Sequence, residues 1–472
     1  MKLPLTVGAY EARSIIASAQ RCVNLYPEQN PSDSPFPTTH YCTSGLVTKS
    51  TAPTIGWRGA YTATNGKMYA VVGASIYRVM QDFTYVSLGA IALNITPVSM
   101  NDNGATLVIV DGTTAGYAID LNTDALALIV DPAFYGSNRV DVVDGYFVFN
   151  RPGTNQWYIS LFLSDDFDAL DFAGKTGYSD LLVCAVVAKR YVYLLGQQTC
   201  EIWYNEGDTD FTFARMPGAF IQHGCAAVSS PAVMDGQVFF LSQDPQGHAI
   251  VMRTANFDGL RISTHALENE FQTYSRLDDA QGFTHQEGGH YFYVLTFPTQ
   301  DKTWCFDMAT QQWHERVWID TDGQFHRHRA GCFTFFNGMP LVGDWENGKL
   351  YNLTPEAFDD DGVPQIHIRS FPHVVDDGNR IMYRQFIADM EIGDGIDGTF
   401  TDPEVLLRWS DTKGRSWGNP ISGGIGATGE YLRCIQFQRL GYARDRVFEL
   451  SWSAKCKTAL NGAFLDVKQA NE

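Results

Sequence analysis

Short apolar runs, some alternating with polar residues and some continuous, recur along most of the chain and are separated by turn residues. Met68-Tyr69-Ala70-Val71-Val72 and Ile76-Tyr77-Arg78-Val79, bounded by Asn65-Gly66 and Gly73, are typical. Branched and aromatic side chains in such runs suit a pleated, half-buried surface, so the pattern predicts strands. Fourteen Asn-Gly or Asp-Gly dipeptides punctuate it, beginning at Asn65, Asn103, Asp111, Asp144, Asp235, Asp258, Asp322, Asn337, Asn347, Asp361, Asp377, Asp394, Asp397 and Asn461. These pairs supply the positive φ angles that tight antiparallel hairpins need. Helical periodicity is scarce. Its best candidate is a short connecting helix over 264–271, where Leu267 and Phe271 stand at i and i+4.

A unit of turn, apolar strand, turn and aromatic-rich strand repeats from starts near Asn65, Asn103, Asp144, Lys189, Asp235, Gly288 and Asn337. Second strands of the unit fall at 116–121, 156–159, 201–204, 303–306 and 349–353. A spacing of roughly 40–50 residues is that of a propeller blade. The expected fold is therefore all-β: a β-propeller of six or seven blades over 51–367, with the segment 1–50 contributing to ring closure or to an interface. Blade number stays open, because a ring can close by joining an N-terminal strand to a partial last repeat. Unrelated hairpins in a sandwich are the alternative, against which the persistence of the period speaks. From about Ile368 the strands lengthen and alternate, at 383–390, 405–410, 432–437 and 446–452, which predicts a separate C-terminal β-sandwich over 368–472.

Composition narrows the function. Hydrophobic residues make up 44% and charged residues 18% of the 472, enough for a buried core and no basis for disorder. Acidic residues outnumber Lys and Arg 53 to 34, and a net charge of −19 argues against general affinity for the phosphate backbone. Nine cysteines are widely spaced, odd in number and without a CxxC pair, and read as buried thiols in a reducing cytoplasm. The N-terminal residues lack the apolar core of a signal peptide, and no apolar run reaches the roughly 18 residues of a membrane span, so no membrane anchor is expected.

Five clusters invite a chemical reading, and each has a plainer one. Ser410 to Trp417 approximates the turn motif of sialidase-type propellers, but Thr412 stands where that motif has aspartate, and the motif braces a hairpin. Gly424-Ile425-Gly426-Ala427-Thr428-Gly429 matches GxGxxG, yet 431–437 alternates like a strand where a dinucleotide site needs a helix. His326-Arg327-His328, with His314, Cys305 and Cys332, lacks paired metal-ligand spacing. Asp165-Asp166-Phe167-Asp168 and Asp359-Asp360-Asp361-Gly362 lack the spacing of a calcium loop and read as solvated turns. With no HExxH or P-loop, the reading is a non-enzyme with no catalytic, cofactor-binding or metal-binding residues and no cofactor.

Gln20-Arg21-Cys22-Val23-Asn24-Leu25-Tyr26-Pro27-Glu28, followed by Thr43-Ser44-Gly45-Leu46, resembles the opening of phage packaged-DNA stabilisation proteins, with Ser44 in place of that family's proline. Arg408-Trp409-Ser410-Asp411 through Trp417, then 439–450, resembles their closing strands. The resemblance implies a tail accessory factor, a nozzle or hub of short-tailed phages made in the host cytoplasm. Such a factor is expected to be a homo-oligomer, a hexameric ring below the portal-adaptor ring. It would extend the DNA channel, hold the packaged genome until ejection, and dock a tail needle or plug and tailspike or fibre proteins. DNA would pass without sequence-specific binding. Two alternatives remain at this level: a propeller glycosidase or sialidase, and a baseplate or fibre module that binds a host receptor.

Overall fold

The computed structural model describes residues 1–5, 8, 11–244, 246–391, 403–427 and 429–469. The turns expected at Asp394 and Asp397 lie outside these residues. Seven antiparallel sheets of four strands follow one another, at 57–90, 99–128, 140–174, 182–221, 232–261, 281–315 and, for the seventh, 330–354 together with Gly45–Thr51. We number them blades 1 to 7.

The turn chemistry explains the regularity. All seven repeat starts fall in the hairpin that joins the first and second strands of a blade. In four of them both turn residues are left-handed and the second is glycine, as at Asp144 (φ 50°) and Gly145 (φ 87°). Blade 4 makes the same turn with Lys189 (φ 49°) and Arg190 (φ 66°), at a steric cost that glycine would avoid.

First strands line the axis, and neighbouring blades are tied there by polar contacts. Tyr61 of blade 1 donates to Asn101 and Asp102 of blade 2, at 3.0 Å each. Asp141 of blade 3 accepts from Asn101 at 2.7 Å and from the backbone of Val187 in blade 4 at 2.8 Å. Phe283 of blade 6 stacks on Phe333 of blade 7, and the hydroxyls of Thr62 and Thr334 meet at 2.9 Å where blade 7 returns to blade 1. Between blades the apolar faces interleave: Tyr69, Val71 and Ile76 with Leu107 and Ile109, and Val186 with Val238 and Phe240. Each such side chain, fully buried, contributes roughly 1.5–3 kcal/mol, and this sheet-on-sheet burial holds the ring together.

The outer strand of blade 7 comes from the other end of the propeller sequence: Gly45–Thr51 pairs antiparallel with Lys349–Thr354. Preceding strands of the N-terminal segment pair elsewhere. Lys2–Leu3 and Thr38–Cys42 both pair with Ala459–Gln469 of the C-terminal part, and Leu25–Gln29 pairs with Thr38–Cys42.

The C-terminal strands form two sheets over one core in which Phe386, Phe437, Val405, Phe448 and Leu450 are buried. One sheet holds Ile381–Glu391, Ile435–Ala443 and Ala459–Gln469. The other holds His367–Ser370, Asp445–Trp452, Glu404–Ser410 and Ile421–Gly424, and it is continuous with blade 6 through Cys22–Val23. The strand expected from residue 432 begins at Ile435, because Tyr431 and Leu432 find no apolar layer to cover them and lie exposed in the preceding loop. Among the described residues the one α-helix, His265–Phe271, buries Leu267 and Phe271 as its spacing predicts.

Candidate functional site

Two features of the described residues concentrate polar chemistry: the cavity on the propeller axis, and the seam between the propeller and the C-terminal sheets.

The axial cavity, of about 440 Å³, is bounded mainly by first strands and the loops just before them. Its charged lining residues are two arginines, Arg58 and Arg139, and neither a carboxylate nor an imidazole lines it. Arg58 is spent on structure, donating to the carbonyls of Thr96, Gly73 and Ala92 at 2.8–3.2 Å. Arg139 reaches from the start of blade 3 to the Pro231 carbonyl at 2.8 Å. Ser99, Ser229 and Cys332 also line the cavity, but no base stands in that lining to activate them, and burial pushes the Cys332 thiol up to about 12.

At the seam the chain must place one extra strand between blade 6 and the sandwich. Cys22–Val23 does this, parallel to Gln312–Glu315 on one side and antiparallel to His367–Ser370 on the other. Asn24 then turns the chain with φ 51°. Its side chain donates to the carbonyls of Val317 (3.1 Å) and Ile366 (2.9 Å) and accepts from the Val317 amide (3.0 Å). Its own carbonyl faces His367 Nδ1 at 3.0 Å. Arg21 and Lys302 both pair with the buried Glu315, at 2.9 and 3.0 Å. Burial raises the Glu315 carboxyl, but Arg21 and Lys302 outweigh it and hold the group below the usual carboxylate range. Arg369, also buried, donates to the carbonyls of Leu5 and Gly8 at 2.8 Å.

Beside the seam lies a buried group of ionisable side chains: His285 and Glu287 from blade 6, His314 and Arg316 at its last strand, His328, and Asp360. His285 Nε2 stands 3.7 Å from Glu287, too long for a direct hydrogen bond. Burial, with Arg316 nearby, pushes His314 well below the ordinary imidazole value and His328 down to about 3. Burial, reinforced by Asp359, pushes Asp360 up to about 8. The imidazoles are therefore neutral in the native state at pH 7, and the Arg316 guanidinium lies over the Phe292 ring at 5.3 Å.

The clusters singled out in the sequence take the following places. Ser410 to Trp417 forms a braced turn: Ser410 accepts from the Gly414 amide at 2.9 Å, Arg446 clamps Asp411 at 2.6 and 2.8 Å, and Arg408 lies over Trp417. Gly424 ends a strand and Thr428 of the GxGxxG stretch lies outside the described residues. His326 bridges Asp301 and Asp320 at 2.6 and 3.1 Å, whereas His328, two residues on, is buried. Among the described residues no three His, Cys, Asp or Glu side chains converge as metal ligands. Asp165, Asp166 and Asp168 sit in the long loop of blade 3. Asp359 and Asp361 pair with Lys455 and Lys349, and Asp360 points inward.

The sequence reading did not identify the seam as a structural hub, although Asn24 and Arg21 fall in the N-terminal stretch that carried the family resemblance. An asparagine at positive φ looks in sequence like any turn residue.

Comparison with known families gives two matches: a model described as bacteriophage P22 Gp10, beta-propeller, over residues 1–358, and one described as bacteriophage P22 Gp10, beta-sandwich, over 367–468. Among solved structures, BamB from Moraxella catarrhalis is similar at 9% identity and a TM-score of 0.40, covering 70% of this chain and 97% of that one. The WD40 beta-propeller domain of Doa1 is similar at 12% identity and a TM-score of 0.39, covering 66% and 97%. Comparison with curated proteins gave no match.

Proposed function

The chain belongs to the bacteriophage P22 Gp10 family, and on that premise we propose that it is a non-enzymatic tail protein whose copies form a hexameric ring below the portal and its adaptor. Family membership supports the coarser part, a phage structural protein that stabilises packaged DNA. The ring extends the DNA channel, retains the genome, and docks a needle or plug and the tailspikes or fibres.

The observation that carries this reading is that the two family models together span nearly the whole chain, propeller and sandwich alike. Physical features of the subunit agree with it. The sheet running unbroken from blade 6 into the sandwich makes the seam a hydrogen-bonded joint, suited to a part that bears load from a pressurised genome. A ring of subunits at −19 each has no counterion-release drive to hold DNA that must leave quickly. Rigid blades with variable loops offer separate surfaces to several partners.

The test is genome retention. Particles assembled without this chain should fill with DNA and then lose it to nuclease-accessible solution, and adding the purified protein after packaging should stop the loss. Particles that stay filled and infectious without it would contradict the proposal.

A further inference from the structure

The outer edge of blade 3 exposes an unusual surface. Between the third and fourth strands of that blade, and in the fourth, Phe162 is 60% exposed, Leu163 51%, Leu170 78% and Phe172 44%. Asp165, Asp166, Asp168 and Asp171 are interleaved with them, and none makes a salt bridge among the described residues. The one cation of this stretch, Lys175, is buried against Asp180 and Thr199. An apolar patch edged by uncompensated carboxylates is costly to leave in water and marks a contact surface.

A surface of opposite character lies on the sandwich. At one end of the sheet formed by Ile381–Glu391 and Ile435–Ala443, Tyr442 is 48% exposed opposite Met382, and Val375 is 57% exposed nearby. Arg380, whose guanidinium lies 5.5 Å over the Tyr442 ring, is joined there by exposed Arg384, Arg439, Arg444 and Lys468. The carboxylates at this end are Asp376, Asp377, Asp466, which pairs with Arg384, and the largely covered Asp445, which pairs with His373, so five cations still outnumber four carboxylates in a chain where acidic residues prevail 53 to 34.

The topology puts these two surfaces far apart on one subunit. The sandwich joins the ring at blades 6 and 7, through Cys22–Val23 and Gly45–Thr51. Blade 3 is three blades from blade 6 in one direction and three from blade 7 in the other, which is the opposite side of a seven-membered ring. Two complementary patches on opposite sides of one subunit make a head-to-tail contact, the type that closes into a ring when the rotation permits.

We propose that the apolar, acidic edge of blade 3 in one copy docks on the Tyr442 end of the sandwich in the next copy. This rests on the ring proposed above and specifies the contact that closes it. The occupant of each patch is a second copy of this chain, because each offers what the other lacks: carboxylates on one, guanidinium groups on the other, and aromatic surface on both. Opposite charge at the edge favours the correct partner and approach, while the apolar centre provides the adhesion.

The experiment places a photo-cross-linking benzoylphenylalanine at position 162 or 170 in virions, with position 260 at the edge of blade 5 as a control, and maps the joined peptides by mass spectrometry. The expected result is a dimer-mass product from 162 and 170, joined to residues 375–384 or 439–444 of a neighbouring copy, and none of that product from 260. Dimer-mass products that map elsewhere on the chain would overturn this pairing and leave the ring intact. Cross-links from 162 and 170 to other virion proteins alone, or to nothing, would overturn it too, whereas the ring itself fails only if labelled virions show no sixfold density for this chain. Charge exchange gives a second reading. Asp165→Arg with Asp168→Arg should cut incorporation into particles by ~10-fold or more, with the melting temperature of the purified chain unchanged. Adding Arg380→Asp and Arg439→Asp to the same chain should restore it, since every copy carries both patches. Failure of the fourfold variant to recover would count against the contact.

Discussion

The side-chain amide of Asn24 both donates to and accepts from the backbone of Val317, at 3.1 and 3.0 Å, and so imitates one rung of a β-ladder where no strand could continue. The same amide reaches Ile366 on the far side. One buried residue thus fastens the end of blade 6 to the first strand region of the sandwich.

This arrangement predicts a graded response at Asn24. Asn24→Ala leaves the Val317 amide and two carbonyls without their partner and forces alanine to φ 51°, for a loss of about 3 kcal/mol. Asn24→Gly loses the same bonds but relaxes the backbone, and should be less damaging by about 1 kcal/mol. Denaturant titration of the two variants checks the order; equal losses would show that the positive φ carries no cost here.

The closing strand predicts a different sensitivity. A Cβ added at Gly45 would lie 2.4 Å from the Asp359 carbonyl oxygen and 2.6 Å from that of Ala357, both backbone atoms that cannot rotate away. Gly45→Ala should therefore disturb the Gly45–Thr51 pairing and cost about 2 kcal/mol or more. Hydrogen exchange should show the loss first in the outer part of blade 7, at 349–354. Unchanged protection there would contradict this account of closure.

The turn at Ser410 to Trp417 contains an unequal pair. Arg446 has a side chain 2% exposed and Asp411 one 45% exposed. Asp411→Asn keeps one of the two acceptors for Arg446, and the half-exposed side chain can turn its amide nitrogen to water, so the change should cost at most about 1 kcal/mol. Arg446→Gln removes the group that also donates to the Leu440 carbonyl and stacks on Tyr383, and should cost about 3 kcal/mol. Thermal melts of the two variants decide it, and a larger loss for Asp411→Asn would contradict the assignment.

Much of the frame is legible in the sequence, because the chemistry of a tight turn is local. Asn65, Asn103, Asp235 and Asn337 announce hairpins on their own, and the strand runs between them can adopt only one register against their neighbours. The exposed rim of blade 3 is legible as composition but not as surface, since Phe162 and Leu170 look like strand residues until their lack of cover is seen. The seam is not legible at all. Its contacts join residues 293 and 342 positions apart, and nothing in the local pattern around Asn24 distinguishes it from a turn residue. The buried His285, His314 and His328 are hidden for the same reason, being brought together only by the order of the blades.

Those histidines set the pH response. Burial, and then the nearby Arg316, lower the native imidazoles of His314 and His328; burial also lowers His285. Above the unfolded value of about 6.5 both states are neutral and stability is full. Below it the unfolded chain takes protons that the native state refuses, so stability falls with falling pH towards the native value of about 3 at His328. Asp360, raised to about 8, works in the other direction, gaining the native state stability as pH falls from 8, and so do His290 and His326, raised by their Asp307, Asp320 and Asp301 partners; His40, His223 and His367, lowered by burial, join the three and outweigh them. The melting temperature should therefore drop between pH 7 and 5, where ordinary carboxylates barely titrate, and His328→Asn should flatten that drop. A flat profile across this window would contradict the neutral buried imidazoles.

Cryo-electron microscopy of purified virions, with the chain located by a label, decides whether copies of this protein form the proposed ring in the phage tail. Six copies are expected in a sixfold ring between the adaptor and the tail tip, each with its propeller and sandwich side by side. Label in the capsid shell or at fibre tips would contradict it.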